Sequence, residues 1–358
     1  MKKIGIMSMQ RIKNYGSFLQ AYGLKKTLNN MGCDVQFVDY QVEPPIVERK
    51  KTSIFSKIRK HLNIYKYMQS RKMEKEFGIR YEEEFLKMLQ VGKERNYHPD
   101  IDHLVIGSDE VFNCLQAGKT VGYSRELFGK NYEDIPVSTY AACFGSTTYS
   151  RLVEYGIDKE VGNMISKIKN LSVRDENTFE MVKTLTNRDS VINLDPVLIS
   201  DFSEEIQNKS VKHENYIIVY AYRGRITKEE QKKIKKFAKE NKKKIISIGT
   251  YQEVADINLV LDPFELLAYF KNADFVITDT FHGTIFSVKY NTNFVTIIRE
   301  SNKQKLGDLL KRLKLEHRCC ADINKLNELY QEKIDFKEAN DIIEKQKENT
   351  FDYLKNII

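Results

Sequence analysis

The sequence predicts an α/β protein of two domains, each built on a parallel β-sheet. Short apolar segments alternate with helical patterns along the chain, and most of them end in a polar group, which is typical of strands that feed helices. The 358 residues, 41% of them hydrophobic, suffice for two separate cores. A polar linker at residues 200–214 divides the chain. Two Rossmann-like halves suit a bilobal enzyme with its site in the cleft, and equally a non-catalytic sugar-binding protein.

The predicted organisation has four parts. They are an N-terminal Rossmann-like domain at 1–205, a helical insertion within it at about 48–95, a C-terminal Rossmann-like domain at 206–335, and a C-terminal helix at 336–358 that could cross back to the first domain.

The start of the chain predicts a βαβ unit. Its strand, helix and strand patterns are residues 3–9, 16–30 and 35–40. The loop before the helix contains Asn14, Tyr15 and Gly16 and falls at the ligand-binding edge of such a sheet. On its own this signal is weak, because a glycine before a helix is more often a turn device, and there is no GxGxxG sequence.

The insertion carries the charge excess of the protein. Residues 48–72 contain nine basic residues and one acidic residue, which accounts for the whole formal charge of +8. Apolar residues between Ile54 and Met68 recur near helical spacing, so residues 49–72 predict a basic amphipathic helix. Such a helix can lie on an anionic membrane, or it can be the solvated face of an ordinary helix. A general nucleic-acid surface is not indicated, because the remainder is nearly neutral and no nucleic-acid-binding motif is present.

Polar side chains follow the further strand patterns of the first half. The strands are predicted at 104–106, 137–142, 171–173 and 191–194. Ser108, Asp109, Arg174 and Asp195 stand directly after them, and the ends of parallel strands share one edge of a sheet. For the two aspartates the alternative is turn chemistry. For Arg174 the alternative is an ion pair with Asp175 or Glu176. An arginine at this position could also form two parallel hydrogen bonds to a carboxylate or phosphate.

The second half repeats the alternation. Its strands are predicted at 216–222, 245–248, 276–278 and 294–298, and its helices at 228–244, 263–270 and 306–313. Thr227 and Glu230 have the spacing of a capping box at the start of the first of these helices.

One junction in this half combines four chemically useful residues. Between the strand at 276–278 and an apolar helical pattern lie Asp279, Thr280, His282 and Gly283. The N-terminus of a helix that follows a strand favours an anion, and a histidine there can contact a phosphate or move a proton. Alternatively, Asp279 caps the helix, His282 is satisfied by local hydrogen bonds and Gly283 only permits close packing.

Several classes of protein are excluded. The five cysteines are odd in number and form no CxxC pair, so neither a disulfide framework nor structural zinc is indicated. No apolar run approaches the roughly 20 residues that cross a bilayer, and the apolar start is too short for a signal peptide. We therefore expect a cytoplasmic protein with no metal site and no cofactor.

Five segments together resemble the polysaccharide pyruvyl transferase family. They are residues 14–22, 107–113, 172–176, 194–196 and 278–284, in the family's order. The resemblance implies two Rossmann-like domains in a GT-B-like arrangement, with the active site in the inter-domain cleft. It also implies phosphoenolpyruvate as the donor substrate, whose carboxyethylidene unit is transferred to two hydroxyls of a sugar to form a pyruvate ketal of a surface polysaccharide or exopolysaccharide.

The resemblance also assigns roles to residues. His282 matches the family's residue near phosphoenolpyruvate, Arg174 a donor-binding cation, and Asp279 the acidic position before the histidine. Thr280 stands where some members have arginine, and Lys305 where relatives often have arginine. The cations that could substitute are Arg223, Arg225, Arg299 and Lys303.

These assignments give a hypothesis for the chemistry. His282 would be an acid or a phosphate ligand, oriented by Asp279, and Asp109 or Asp195 would accept the proton of the sugar hydroxyl. The predicted donor-binding residues are Arg174, Thr280, Gly283, Thr284, Arg299 and Lys305. The predicted acceptor or cleft residues are Asn14, Tyr15, Gly16, Ser108 and Asp195.

Two other functions remain open at this point. One is a glycosyltransferase that uses a nucleotide sugar on the same scaffold, and the other is a glycan-binding relative without activity. The expected partners are phosphoenolpyruvate and a sugar or lipid-linked oligosaccharide. An acceptor on an anionic lipid would suit the basic helix at 49–72 and a peripheral position on the inner face of the membrane.

Overall fold

The structure is a computed structural model that describes residues 1–48, 64–116, 122–300 and 302–358. Within this described part of the chain, no helix is long and apolar enough to cross a bilayer.

The N-terminal half is built on a six-stranded, fully parallel sheet with strand order β2-β1-β3-β4-β5-β6. The strands are β1 (Lys3–Met7), β2 (Asp34–Phe37), β3 (His103–Asp109), β4 (Val137–Ala142), β5 (Ser172–Val173) and β6 (Val191–Ile192). The central strands are buried on both faces, as expected for a parallel sheet covered by helices. Their helices are α1 (Tyr15–Asn30), α2 (Ile64–Arg80), α3 (Tyr149–Glu154), α4 (Asp158–Lys167), α5 (Glu176–Thr186), α6 (Pro196–Ile199) and α7 (Ser203–Ile206).

The C-terminal half has a five-stranded parallel sheet of order β11-β10-β7-β8-β9. The strands are β7 (Tyr216–Tyr220), β8 (Lys244–Ile248), β9 (Ile257–Leu259), β10 (Phe275–Thr278) and β11 (Phe294–Thr296). The helices are α8 (Lys228–Glu240), α9 (Pro263–Asn272), α10 (Phe281–Lys289), α11 (Lys303–Arg312), α12 (Leu326–Gln331) and α13 (Lys337–Ile357). The predicted capping box at Thr227 and Glu230 is present. The sequence pattern does not predict β9, because this edge strand has only three half-buried residues.

Two long helices contribute to the contacts between the halves. Helix α13 ends against the first sheet, where Tyr353 donates a hydrogen bond to the Thr139 carbonyl at 2.7 Å. Helix α2 contacts the second half, since Arg80 donates to the Val260 carbonyl at 2.8 Å and Glu74 pairs with Arg223. These contacts help to hold the two sheets around the cleft.

The basic insertion is described only in part. Residues 49–63 lie outside the described residues. Helix α2 continues through a π-helical turn, Tyr81–Phe85, into Leu86–Met88. At its start Tyr65 and Met68 are exposed. Contact of residues 49–72 with an anionic membrane stays a prediction.

Candidate active site

The carboxyl edges of both sheets face one cleft, which contains a cavity of about 220 Å³. The charged residues that line it are Asp109, Glu110, Arg174, His282 and Lys305. The first three follow strands of the N-terminal sheet, whereas His282 and Lys305 belong to helices of the C-terminal half. The site is therefore assembled from both domains.

His282 lies in the first turn of α10. The N-cap of this helix is Thr280, whose hydroxyl accepts a hydrogen bond from the Gly283 N–H at 2.9 Å. The alternative in which Asp279 caps the helix is not observed. Its carboxylate accepts from the Tyr222 N–H at 3.3 Å and lies 3.6 Å from the Arg225 guanidinium, because the β10 terminus directs it towards the neighbouring strand β7.

The carboxylate beside His282 comes from the other domain. Asp195 Oδ2 lies 3.5 Å from His282 Nε2, so Asp195, rather than the predicted Asp279, is the acid that faces the imidazole. His282 Nε2 has no hydrogen-bond partner among the described residues. Gly16 allows this approach, since a Cβ at Gly16 would lie 2.1 Å from His282 Nδ1.

Arg174 is a buried cation that joins two carboxylates. Its Nη1 lies 3.1 Å from Asp195 Oδ2 and 3.4 Å from Asp109 Oδ1. Its guanidinium also lies 4.3 Å from the centre of the Phe281 ring, a cation–π distance. The alternative pairing with Asp175 or Glu176 is not observed, because Asp175 instead caps α5 through the Thr178 N–H at 2.9 Å. Arg174 Nε has no hydrogen-bond partner in the described part of the chain.

Asp109 and Asp195 are held as carboxylates. Burial by itself would raise the pKa of each group. The positive charges of Arg174 and His282 outweigh it, with a further contribution of Lys305 at Asp109, so both pKa values are lowered. Asp109 has φ +75°, a left-handed conformation that aspartate tolerates better than most residues. This conformation places its Oδ2 to accept a hydrogen bond from the Ser17 hydroxyl at 3.0 Å.

A second ion pair crosses the cleft. Lys305 Nζ lies 2.5 Å from Glu110 Oε1. Burial favours neutral forms of both groups, but their opposite charges prevail, so the pKa of Lys305 is raised and that of Glu110 is lowered. The sequence analysis did not single out Glu110. The signal that could have identified Glu110 was its position directly after Asp109, in the segment 107–113 that resembles the family.

The cleft widens beyond this ion pair into a chamber of about 510 Å³. Its polar lining includes Asn113, Ser146, Arg225, Asp279 and Asn302. Burial raises the pKa of Asp279 in spite of the opposing charge of Arg225. The chamber lining therefore includes amides, a hydroxyl and the Asp279 carboxyl group, whose pKa is raised.

The structure distinguishes Lys305 from the four cations considered as replacements for the arginine missing at position 280. Lys305 lines the cavity and Arg225 the chamber. Arg299 instead forms two hydrogen bonds to Glu230, of 2.8 and 2.9 Å. Arg223 pairs with Glu74, and Lys303 lies 3.8 Å from Glu300.

Several other predicted site residues support the site without lining the cavity. Tyr15 donates to the Leu261 carbonyl at 2.6 Å, and Ser108 donates to Gln20 at 2.9 Å. Thr284 donates to the Thr280 carbonyl at 3.2 Å within α10. A Cβ at Gly283 would lie 2.2 Å from Thr278 Oγ1, so this glycine serves close packing.

Asn14 differs from these residues because it lines the cavity. It also caps α1, where its side chain accepts a hydrogen bond from the Gly16 N–H at 2.7 Å. The cavity residues that the sequence did not indicate include Ser17, Gln116 and Tyr222.

Comparison with known proteins agrees with this architecture. The family model of polysaccharide pyruvyl transferase matches residues 14–301. UDP-GlcNAc 2-epimerase from Neisseria meningitidis, solved with UDP-GlcNAc, has a TM-score of 0.53 at 8% identity over 99% of this chain and 100% of that chain. MurG from Acinetobacter baumannii has a TM-score of 0.43 at 11% identity over 100% of this chain and 99% of that chain. No curated protein sequence matched. The two parallel sheets and the likeness to the epimerase identify a GT-B fold, as predicted.

Proposed function

Since the chain belongs to the polysaccharide pyruvyl transferase family, we propose that this transferase moves the carboxyethylidene unit of phosphoenolpyruvate onto two hydroxyls of a sugar. The products would be a pyruvate ketal and inorganic phosphate. The observation that carries the proposal is the convergence of Arg174, His282 and Lys305, from both domains, on one cavity.

The donor would bind through these cations. Phosphoenolpyruvate carries a carboxylate and a phosphate, and the buried Arg174 guanidinium offers an Nε–H without a partner among the described residues. Lys305 lies on the opposite wall, and the N-terminus of α10 adds favourable backbone dipoles. In this proposal Lys305 takes the place of the arginine that some family members have at position 280, because Arg299 is already bound to Glu230.

His282 would be the acid of the reaction. The enol methylene of the donor must gain a proton as the sugar oxygen attacks C2. His282 lines the cavity, and its Nε2 is buried without a hydrogen-bond partner in the described residues. Asp195, 3.5 Å away, would stabilise the charged imidazole. Asp109, bound to Arg174 and Ser17, would help to keep Arg174 in position.

The test measures donor binding and product formation with the purified protein. Phosphoenolpyruvate should raise the unfolding temperature and bind by calorimetry, whereas UDP-GlcNAc should do neither. With p-nitrophenyl pyranosides as acceptors, we expect release of inorganic phosphate and a product heavier by one carboxyethylidene unit. Binding of nucleotide sugars alone, together with glycosyl transfer, would replace the proposal by the glycosyltransferase alternative. Binding of pyranosides without phosphate release would support a glycan-binding relative.

A further inference from the structure

The cavity and the chamber of the cleft share one wall. The residues common to both linings are Glu110, Gln116, Tyr222, Phe281 and Lys305. A donor in the cavity and an acceptor in the chamber must meet at this wall, since the new bond forms between them. Of the shared side chains, only the Glu110 carboxylate is a base at neutral pH, because the pKa of Lys305 is raised by Glu110.

The two aspartates considered from the sequence are less suitable bases. Asp195 is 1% exposed, is in contact with Arg174 and caps α6 through the Val197 N–H. Asp109 lines the cavity but not the chamber, and its two oxygens face Arg174 and Ser17. The Glu110 side chain is 25% exposed, so it can be reached by an acceptor.

We propose that Glu110 is the catalytic base that accepts the proton of the sugar hydroxyl, and that the chamber holds the acceptor sugar ring. This inference rests on the proposed transfer from phosphoenolpyruvate and adds the acceptor side of the reaction. The hydroxyl of Ser146 and the guanidinium of Arg225 can form hydrogen bonds with the hydroxyls of a pyranose ring, and Tyr222 contributes an aromatic wall.

The proton and bond changes balance without a redox partner. The first hydroxyl gives its proton to Glu110, its oxygen bonds to C2 of the donor, and the methylene carbon takes a proton from His282. The C2–C3 double bond becomes a single bond. The second hydroxyl then bonds to C2 as the C2–O bond to phosphate breaks. Glu110, which has by then released the first proton to solvent, takes the proton of the second hydroxyl and passes it to the leaving phosphate. His282 regains from solvent the proton that it gave to the methylene carbon.

Lys305 connects the donor side and the acceptor side of this reaction. It contacts Glu110 at 2.5 Å and borders the donor cavity. A bound phosphate competes with Glu110 for the ammonium group, since both are anions. Besides Lys305, the groups that act on Glu110 are Asp109, whose negative charge raises its pKa, and Asn113, which donates to Oε2 at 2.7 Å. Donor binding would therefore weaken the main charge that holds the Glu110 pKa low and make the carboxylate a stronger base.

The test uses Glu110→Gln, which keeps the shape and an oxygen for Lys305 but cannot accept the proton. With phosphoenolpyruvate and p-nitrophenyl pyranosides, we expect kcat to fall about 100-fold or more. The calorimetric Kd for phosphoenolpyruvate should not rise, because a neutral amide competes less with the phosphate for Lys305, and the acidic limb of the kcat–pH profile should disappear. Glu180→Gln removes an exposed glutamate of α5 and serves as the control.

The outcomes separate this inference from the proposed function. If the wild-type protein transfers nothing from phosphoenolpyruvate to any pyranoside, the proposed function is overturned and the role of Glu110 with it. If the wild type is active and Glu110→Gln retains kcat within about threefold, only the inference about Glu110 is overturned. Loss of phosphoenolpyruvate binding in a folded Glu110→Gln protein would also overturn it, because Glu110 would then belong to the donor site.

Discussion

The two sheet edges that face the cleft differ in chemistry. The N-terminal edge carries Asp109, Glu110, Arg174 and Asp195, whose acidic members all have lowered pKa values. The C-terminal edge carries hydroxyl groups, His282 and one acid, Asp279, whose pKa is raised. The cations that hold the N-terminal acids ionised are Arg174 of the same domain and, from across the cleft, His282 and Lys305. The N-terminal edge alone therefore does not supply all the positive charges that keep its acids ionised.

The difference shows that the cleft is a cross-domain charge network. Asp195 faces His282 at 3.5 Å, Glu110 faces Lys305 at 2.5 Å, and Gly16 leaves room for the imidazole. The Asp279 carboxylate lies 3.6 Å from Arg225, accepts a hydrogen bond from the Tyr222 N–H and is also acted on by the charge of Arg299. Changes that break a cross-domain contact should thus impair chemistry, whereas changes at Asp279 should act mainly on stability.

The largest expected effect is at His282. In His282→Gln the amide cannot protonate the methylene carbon, so kcat for phosphate release from phosphoenolpyruvate should fall about 10²- to 10⁴-fold. The unfolding temperature should fall only modestly, because Asp195 loses the imidazole 3.5 Å away but keeps Arg174 at 3.1 Å. His317→Gln, at an exposed position, is the matched control. Near-wild-type turnover in folded His282→Gln would exclude His282 as the acid.

A smaller loss is expected when only the position of His282 changes. The methyl group of Gly16→Ala would lie 2.1 Å from His282 Nδ1, so the imidazole must move. A displacement of about 1 Å in a catalytic group can cost about 100-fold in rate, and we expect a loss of about that size in kcat.

The control for this change is Gly307→Ala in α11, where an added Cβ meets no described atom within 4 Å. It should keep its activity and gain up to about 1 kcal/mol of helix stability. Equal kcat in Gly16→Ala and Gly307→Ala would show that the contact between α1 and His282 is not needed for catalysis.

The smallest expected effects are on stability. They distinguish Asp195 of the N-terminal edge from Asp279 of the C-terminal edge by the pH dependence of unfolding. The lowered pKa of Asp195 means that its stabilising effect is present above the unfolded pKa of about 3.9 and is lost as pH falls through the folded value. Asp195→Asn should therefore unfold more easily than wild type at pH 7, by about 2 kcal/mol, with a smaller deficit in acid.

Asp279→Asn should behave in the opposite way. Its raised pKa means that the ionised carboxylate costs stability, and this cost grows as pH rises from about 3.9 through the folded value. The variant should gain stability relative to wild type over that range and keep the gain at higher pH. Denaturant unfolding of both variants between pH 3 and 8 measures the two trends. Parallel trends would mean that the two edges do not differ electrostatically.

Much of the fold could be predicted from the sequence. The βαβ start, the polar ends of β3 and β10 and the capping box at Thr227 all follow from local patterns. The edge strand β9 could not, because three residues show too little periodicity. In the candidate site, the sequence located Arg174, His282 and Lys305 as cations of interest, but it paired His282 with Asp279, its neighbour in the chain.

Local patterns are enough to predict which side chains stand at strand ends and helix starts, since backbone periodicity and turn chemistry are local. Which of these side chains meet depends on the packing of distant segments. Asp195 reaches His282, and Glu110 reaches Lys305, across 87 and 195 residues of chain. The physical reason is that Coulomb and hydrogen-bond energies depend on distance in space, which is set by how two separate sheets pack around one cleft.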